Sequence, residues 1–490
     1  MTPPAIKEKY MRAEEKIPRL RFGMLHSFVG LSDGVSIVMQ QVEDVVVNKL
    51  GADKNNIFYL VGKSGLQQKR IIEYPDFHAD GDLNNLAKRC YEKGFSDTAR
   101  GQLEAAITRA QEKIKQFVDE QNIDVIIAHN TCFPANFIMS LGLSRYYRDE
   151  ILAGRKTPKY ILWWHDSHLE RPAFLFPAKE MKRYVEEGIP GPYIEYVIFI
   201  NSLQYNVAEP YFLRLDHKKP GFYDKMTRST NVIYNTTDVF IENYNDLKQE
   251  KYQHKVDTFF KDFNLQTVFE KTNVTYDETL FILQHTRMVS RKRIDFALEF
   301  CFALLERRNS NEGATGKKKG IYFLISGNNT AGEKEKLITL HKQLAEQYET
   351  NLVTLAFAED VATSLTFEDY PLIFARLKGI ATYFSEIEGF GNNLLEIMAS
   401  GLIPIIYEYP VYVSDIEKFE FKLLSVDEFT ITPELLDQII ELINDKKKQK
   451  EWINKNIKIL KRHLSHRTIA KTLKRAILLK RTHWRKIKKR

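Results

Sequence analysis

The sequence predicts an α/β protein built from two parallel-sheet halves in series. Three observations lead there. Short, continuously apolar runs recur along the chain, as in strands buried on both faces. Polar helical stretches separate them, which suits strand–helix–strand crossovers. Polar segments rich in His, Asn and Gly follow several of the runs, at the carboxyl ends where functional loops of a parallel sheet collect.

Taken in order, residues 1–18 read as a polar, partly helical extension. Arg19–Ser27 is the first strand, Phe28–Ser36 (FVGLSDGVS) a loop, and Ile37–Leu50 a helix with Val38, Val42, Val45 and Val46 on one face. Ile57–Gly62 is the second strand, and residues 83–119 are helical with charge pairs at i,i+4 spacing. Ile123–Ala128 is a strand closed by His129-Asn130, and Pro134–Tyr147 is a helix with Pro in its first turn. Tyr160–Trp164 is a strand delivering His165-Asp166. Tyr196–Ile200 is another, followed by Asn201-Ser202 as a helix cap, and Asn231–Tyr234 closes the first half. Residues 236–278 lack strand-like runs and read as linker plus one or two helices. The second half places strands at Leu280–Thr286, Ile321–Ser326, Leu352–Ala356, Ile380–Phe384 and Ile403–Ile406, with Asn309–Gly320 as a mobile loop. Helices follow at Pro433–Asn444, Lys447–His463 and Ile469–Arg490.

A length of 490 residues allows two or three domains with sizeable cores. No apolar run reaches the roughly 18 residues of a membrane span. The segment MTPPAIKEKYMRAEEK carries charges of both signs without an apolar core, unlike a signal peptide. Cys90, Cys132 and Cys301 lie far apart without metal-ligand spacing, so a cytoplasmic location is expected. The net charge of +8 resides in the tail: residues 471–490 contain ten Lys or Arg and no acid, leaving 8 − 10 = −2 for the rest.

The chemistry concentrates in residues 384–415. Glu388 and Glu396 bracket Gly389-Phe390-Gly391, between a strand and a short helix, Asn392–Ser400, that Gly401 stops. A glycine turn at a helix N-terminus presents backbone N–H groups to an anion. The two carboxylates need a different partner, and sugar hydroxyls suit them because a carboxylate accepts several O–H bonds. The stretch thus reads as a nucleotide-sugar site. Arg287 and Lys292, just past the first strand of the second half, offer a planar fork and a point charge to phosphate oxygens. Two solvated turn residues are the alternative. Arg291 and Arg293 read as surface charge.

In the first half, Gly30 and Gly34 permit close backbone approach, with Asp33, Val35 and Ser36 beside them; an ordinary strand–helix turn stays open as the alternative. His165 stands at a strand end beside Asp166, free to bond a sugar hydroxyl. Glu170 and Arg171 either order that loop or meet an acidic acceptor, and His129 and Asn130 fall at the neighbouring strand end. Tyr409 and Tyr412 are a sugar or base platform or core packing.

The pattern Glu388-Gly-Phe-Gly…Glu396, with Arg287-x4-Lys292, Asp33-Gly34-Val35-Ser36, His165-Asp-x3-Glu-Arg-Pro and Asn201-Ser202, resembles the retaining glycosyltransferases of family four, and within them a subgroup typified by mannosylglucosylglycerate synthase. The resemblance covers roughly residues 20–240 and 279–420. It implies the GT-B fold, two Rossmann-like doubly wound domains facing a central cleft. The expected boundaries are a 1–18 extension, a 19–240 acceptor domain, a 241–278 helical insertion, a 279–465 nucleotide-sugar domain and a basic helix at 466–490 packing back on the first domain.

It further implies metal-independent hexosyl transfer with retention, without cofactor, from a GDP- or UDP-linked mannose or glucose to a small acidic glycoside such as glucosylglycerate. Arg287, Lys292 and the amides near Phe390–Asn393 would stabilise the leaving diphosphate, with Leu394 in the same donor segment. Glu396 would hold the ribose, Glu388 the sugar's C3 and C4 hydroxyls, and His165 the 6-hydroxyl region. No Asp-x-Asp metal motif stands out, nor a first-half carboxylate nucleophile. Two further functions compete: a transferase serving a lipid or polymer on the inner membrane face, recruited by the basic helix, and a non-catalytic sugar-nucleotide binder. Nucleic-acid contact is set aside because no base-reading motif accompanies the basic tail.

Overall fold

The computed structural model describes residues 17–30, 34–237, 241–310, 318–329 and 332–479. Asp33, most of the predicted loop at 309–320 and the tail beyond residue 479 lie outside them. The chain divides into two units. One holds the described residues up to Asn235 together with those from His466 onward; the other spans Thr236–Ser465.

The first unit is a seven-stranded sheet in the order β3-β2-β1-β4-β5-β6-β7, paired in parallel throughout. Its strands are β1 (Phe22–Val29), β2 (Ile57–Ser64), β3 (Ile71–Glu73), β4 (Val125–His129), β5 (Lys159–Trp164), β6 (Tyr196–Phe199) and β7 (Thr230–Val232). Leu25, Ile126, Ala128, Leu162, Trp164, Val197 and Phe199 face one hydrophobic core. Phe22, Met24, Val125, Ile127, Ile161, Trp163, Tyr196 and Ile198 face the other, as the two-residue period of a strand requires.

The predicted strands are all present, with shifted edges. β1 runs two residues further than expected, so the loop shortens and Gly34, Val35 and Ser36 open the helix Gly34–Asp44. The helical stretch expected over 83–119 is made of two helices, Asp82–Lys93 and Asp97–Gln121. Gly94, at φ +79, ends the first, and the Ser96 side chain caps the second by accepting from Ala99 N at 3.1 Å.

The second unit is a six-stranded sheet in the order β10-β9-β8-β11-β12-β13, again parallel. Its strands are β8 (Thr279–Gln284), β9 (Gly320–Ile325), β10 (Val353–Phe357), β11 (Ile380–Tyr383), β12 (Ile403–Tyr407) and β13 (Leu424–Val426). The segment expected as a separate 241–278 insertion belongs to this unit's core. Its helix Gln253–Asp262 buries Phe259 against Phe263, Tyr322 and Phe374, because aromatic side chains at that density need a partner surface.

The helix His466–Leu478 packs into the first unit, with Ile469, Leu473, Ala476 and Ile477 buried in the core that holds Phe22 and Met24. Lys159 Nζ donates to the carbonyls of Ile477 at 3.1 Å and Leu479 at 2.6 Å, a cation at a helix C-terminus. Among the described residues no helix is long and apolar enough to cross a membrane.

Leu473 is fully buried, so Leu473→Ala should destabilise the first unit by about 2–5 kcal/mol. Urea unfolding followed by the fluorescence of Trp163 and Trp164 checks this; an unchanged midpoint would mean the helix is dispensable to that core.

Candidate functional site

In each sheet the strand order reverses beside the first strand of the unit, between β1 and β4 and between β8 and β11. Loops at the carboxyl ends diverge there and leave room for a ligand. The candidate residues gather at both of these points.

In the second unit, the turn after β8 carries Arg287 and Lys292, and the turn after β11 carries Glu388. Because β8 and β11 are adjacent, the turns meet. Lys292 forms an ion pair with Glu388, and both side chains are under a tenth exposed. Tyr383 OH donates to the same carboxylate at 2.8 Å. Arg291 donates to the Ile387 carbonyl and reaches Glu388 Oε2 at 3.5 Å, so it is part of the cluster rather than surface charge. Arg293 instead pairs with Asp295 and Glu386 and lies over the Phe429 ring.

Burial alone would raise the Glu388 carboxyl. Lys292 and Arg291, with the hydrogen bonds from Lys292 and Tyr383, outweigh it and hold the group down at about 2. Burial pushes the Lys292 ammonium down against the pull of Glu388, and Arg291 and Arg287 push the same way. Arg287 is exposed, yet close enough to be felt at Lys292.

Glu396, in the helix Asn392–Ala399, lies 3.3 Å from Nε2 of His285, a fully buried residue directly after β8. His285 Nδ1 meets Ser326 Oγ at 2.9 Å, its ring stacks on Phe367 at 3.9 Å, and its carbonyl accepts from Asn393 Nδ2 at 2.6 Å. The glycine turn is held from below. Tyr409 is buried and its hydroxyl donates to the Phe390 carbonyl at 2.8 Å, which favours packing over a platform for it. Gly391 sits at φ +107, and a Cβ there would fall 2.4 Å from that hydroxyl, so only glycine fits. Gly389 is exposed and Asn392 half-buried, while Phe390 and Leu394 point into the core; only their backbone is left to face a ligand.

In the first unit, Gly30 takes φ +67 directly after β1, and Ser36 is buried in the first helical turn. His129 ends β4 and His165 follows β5. Both belong to the face carrying Trp163, on which His129 stacks at 5.5 Å. His129 Nδ1 and His165 Nε2 are 3.0 Å apart, and His26 Nδ1 lies 3.3 Å from the His129 carbonyl. Asn130, at φ +61, accepts from the backbone N–H groups of His165 and Asp166 at 3.2 and 2.7 Å. Glu170 accepts from Trp164 Nε1, Ser167 Oγ and Gln204 Nε2, so it orders the loop. Arg171 binds Asp166 at 2.6 Å through Nε and stays 43% exposed, so a guanidinium edge faces solvent.

Burial pushes the imidazolium forms down: His165 to about 3, with His26 adding to the effect, His168 to about 4, and His129 well below its ordinary value.

His285 and Tyr383 join these clusters without having been singled out in the sequence; His26 enters there only as the start of a strand-end loop, His26–Ser36, and Arg291 as surface charge. His26 and Tyr383 lie inside strands, where their buried side chains read as core. His285 was within reach of the rule that finds Arg287, since it too follows β8.

These units have known counterparts. Residues 266–459 match the sequence model of the family described as glycosyl transferases group 1. The chain is 24% identical over 421 residues to a mannosylglucosylglycerate synthase of Petrotoga mobilis, spanning 83% of this chain and 86% of that one. To the mannosylglucosylglycerate synthase of Thermotoga maritima it is 23% identical over 484 residues, spanning 94% and 100%. Among solved structures, a UDP-forming α,α-trehalose-phosphate synthase from Burkholderia xenovorans superposes with a TM-score of 0.58 at 10% identity, over 94% of this chain and 98% of that one. Anabaena HepE in complex with UDP and glucose gives 0.54 at 14% identity, over 93% and 98%. The fold is that of the GT-B class, and residues 266–459 are similar to the glycosyl transferases of group 1. Within that class the chain is similar, across most of its length, to the mannosylglucosylglycerate synthases.

The neutral histidines set a pH dependence. Their folded values lie below the ordinary 6.5, so the unfolded chain binds more protons and stability rises with pH. The stability is whole above about 6.5 and falls away toward the folded values as acid is added. His168→Phe should flatten the loss of the first unit's urea midpoint between pH 7 and pH 5, by up to one proton's worth of slope. An unchanged slope would show that His168 is protonated in the fold.

Proposed function

We propose that the chain transfers a hexose, mannose or glucose, from a GDP- or UDP-linked donor to a small acidic glycoside such as glucosylglycerate, with retention at the anomeric carbon and without a metal. The observation that carries this reading is the convergence of Lys292 and Arg291 on Glu388 beside the reversal point of the second sheet, with Arg287 close enough to be felt at Lys292. Cations stand where a leaving diphosphate needs charge, and a carboxylate stands beside them for the sugar hydroxyls.

On this reading a bound diphosphate gives Lys292 a second anionic partner, and Glu388 accepts from the donor sugar's hydroxyls. Glu396, held by His285, accepts from the ribose. The N-terminal end of the helix Asn392–Ala399 faces the phosphates. The acceptor belongs to the first unit, where the Arg171 guanidinium suits a carboxylate and His165 a hydroxyl. The relatives' name supplies mannose and the glucosylglycerate type of acceptor; UDP and glucose are the molecules bound in the HepE complex.

A small acceptor is favoured over a lipid one because Ile469, Leu473 and Ile477 are spent on the first unit's core and are not available to a membrane surface. A cytoplasmic location belongs to the same proposal.

Arg287 tests the site cleanly, because it is exposed and its removal leaves no buried charge unpaired. Arg287→Ala should leave the melting temperature unchanged and lower kcat/KM about 10²–10³-fold. Near-normal turnover would remove it from the mechanism.

The donor base is read by thermal shift. At about 100 times Kd, the correct nucleotide sugar should add about 2.7 kcal/mol of stability. No shift with any GDP- or UDP-sugar would end the proposal, as would transfer that an excess of chelator abolishes or a product with inverted configuration.

A further inference from the structure

The buried imidazoles of the first unit share one hydrogen in a way that determines which atom His165 offers. His129 Nδ1 lies 3.0 Å from His165 Nε2, so one of the two carries the hydrogen between them. Among the described residues His129 Nε2 is buried without a hydrogen-bond partner. Two neutral arrangements are open. In the first, His129 carries its hydrogen on Nδ1 and donates to His165 Nε2, leaving a bare lone pair at the buried Nε2. In the second, His165 donates, and His129 must carry its hydrogen on Nε2, leaving a buried N–H with no acceptor.

An orphaned buried N–H is the rarer and costlier of the two. The ring planes admit little escape. His129 lies against Trp163 at 5.5 Å and 14° and meets His165 edge to edge, with ring centroids 5.3 Å apart and planes 24° apart, so the Nδ1–Nε2 contact runs close to both ring planes. The His129 carbonyl meets His26 Nδ1 at 3.3 Å, and a carbonyl can only accept.

We propose that His129 is a positioning residue that fixes His165 as the Nδ1–H tautomer, so that the first unit presents its substrate with a hydrogen-bond donor rather than a base. The ligand group opposite His165 is then an oxygen with an available lone pair, such as a sugar hydroxyl accepting from the ring. His165 does not take the acceptor's proton during transfer. Asn130 completes the arrangement by holding the His165 backbone N–H at 3.2 Å. This deepens the proposed transfer reaction and rests on it only for the identity of the ligand.

The test reads the tautomer directly. In ¹⁵N-histidine-labelled full-length protein at pH 7.5, the His165 imidazole, assigned by its loss in His165→Asn, should show a protonated Nδ1 and an unprotonated Nε2. A protonated Nε2 overturns the inference whatever the enzyme's activity, so the two proposals fail separately. His129→Phe keeps the stacked ring but removes the donor. It should weaken the preference of His165 for the Nδ1–H form, because the Nε2 lone pair loses its donor, and lower kcat about tenfold with the donor KM unchanged. His129→Asn, whose amide N–H stands near the position of Nδ1–H, should restore both. Should His129→Phe fail to fold, the wild-type and His129→Asn spectra still decide.

Discussion

A buried ammonium–carboxylate pair organises the second unit. Taking Lys292 and Glu388 out of water costs more than their attraction alone returns, so the pair persists only with further partners. Tyr383 supplies a hydroxyl to the carboxylate, and Arg291 adds a second cation at its far oxygen. These partners come from two turns separated by about a hundred residues of chain and joined by one strand pairing, β8 with β11. A polar seam lies just behind them: Thr382 donates to Gln284 at 2.6 Å, and Gln284 to Thr286 at 2.9 Å. The ion pair therefore ties the turns together and keeps a charged group poised at the surface of a packed sheet.

The first unit solves the corresponding problem without net charge. Its reversal point is lined by imidazoles whose burial keeps them neutral, and its nearest ion pair, Asp166 with Arg171, sits at the exposed side of the loop. A charged pocket in one unit suits an anionic diphosphate, while neutral donors in the other suit hydroxyls, which a strong field would not help to discriminate. The division of labour proposed above thus has an electrostatic basis within each unit taken alone.

Much of this was legible in the chain. Strands buried on both faces leave continuous apolar runs, and every such run became a strand. The strands that escaped notice, Ile71–Glu73 and Leu424–Val426, are three-residue edge strands with no fully buried residue, too short to print a pattern. Arg291 was misread because spacing cannot say which of several consecutive basic residues in a turn points inward. The carbonyl of Ile387 and the acid of Glu388, nearly a hundred residues away, decide that. Tyr383 carries the same lesson, since a buried tyrosine inside a strand looks like core until a partner for its hydroxyl appears. Gly391 was legible as a turn glycine, but its necessity comes from Tyr409, whose hydroxyl occupies the space a side chain would need.

The topology adds a constraint that composition concealed. The chain leaves the first unit after Asn235 and returns to it at His466, so the second unit is an insertion within the first. Its outgoing and returning segments are joined by a backbone hydrogen bond from Thr237 to the Leu464 carbonyl at 3.0 Å. The returning helix is then anchored by its apolar stripe and by Lys159 at its end. A basic amphipathic helix at the end of a sequence reads equally as a surface-seeking element, since Ile469, Leu473 and Ile477 would serve a lipid or a protein core alike. What separates the readings is where a matching face exists. Helix Gly34–Asp44 and the turn after it cover only part of the sheet face formed by Met24, Ile127 and Trp163, and the returning helix covers more of it. The described part of the basic tail is thus accounted for by burial, and its charges by the solvent-facing side of a helix that the first unit needs.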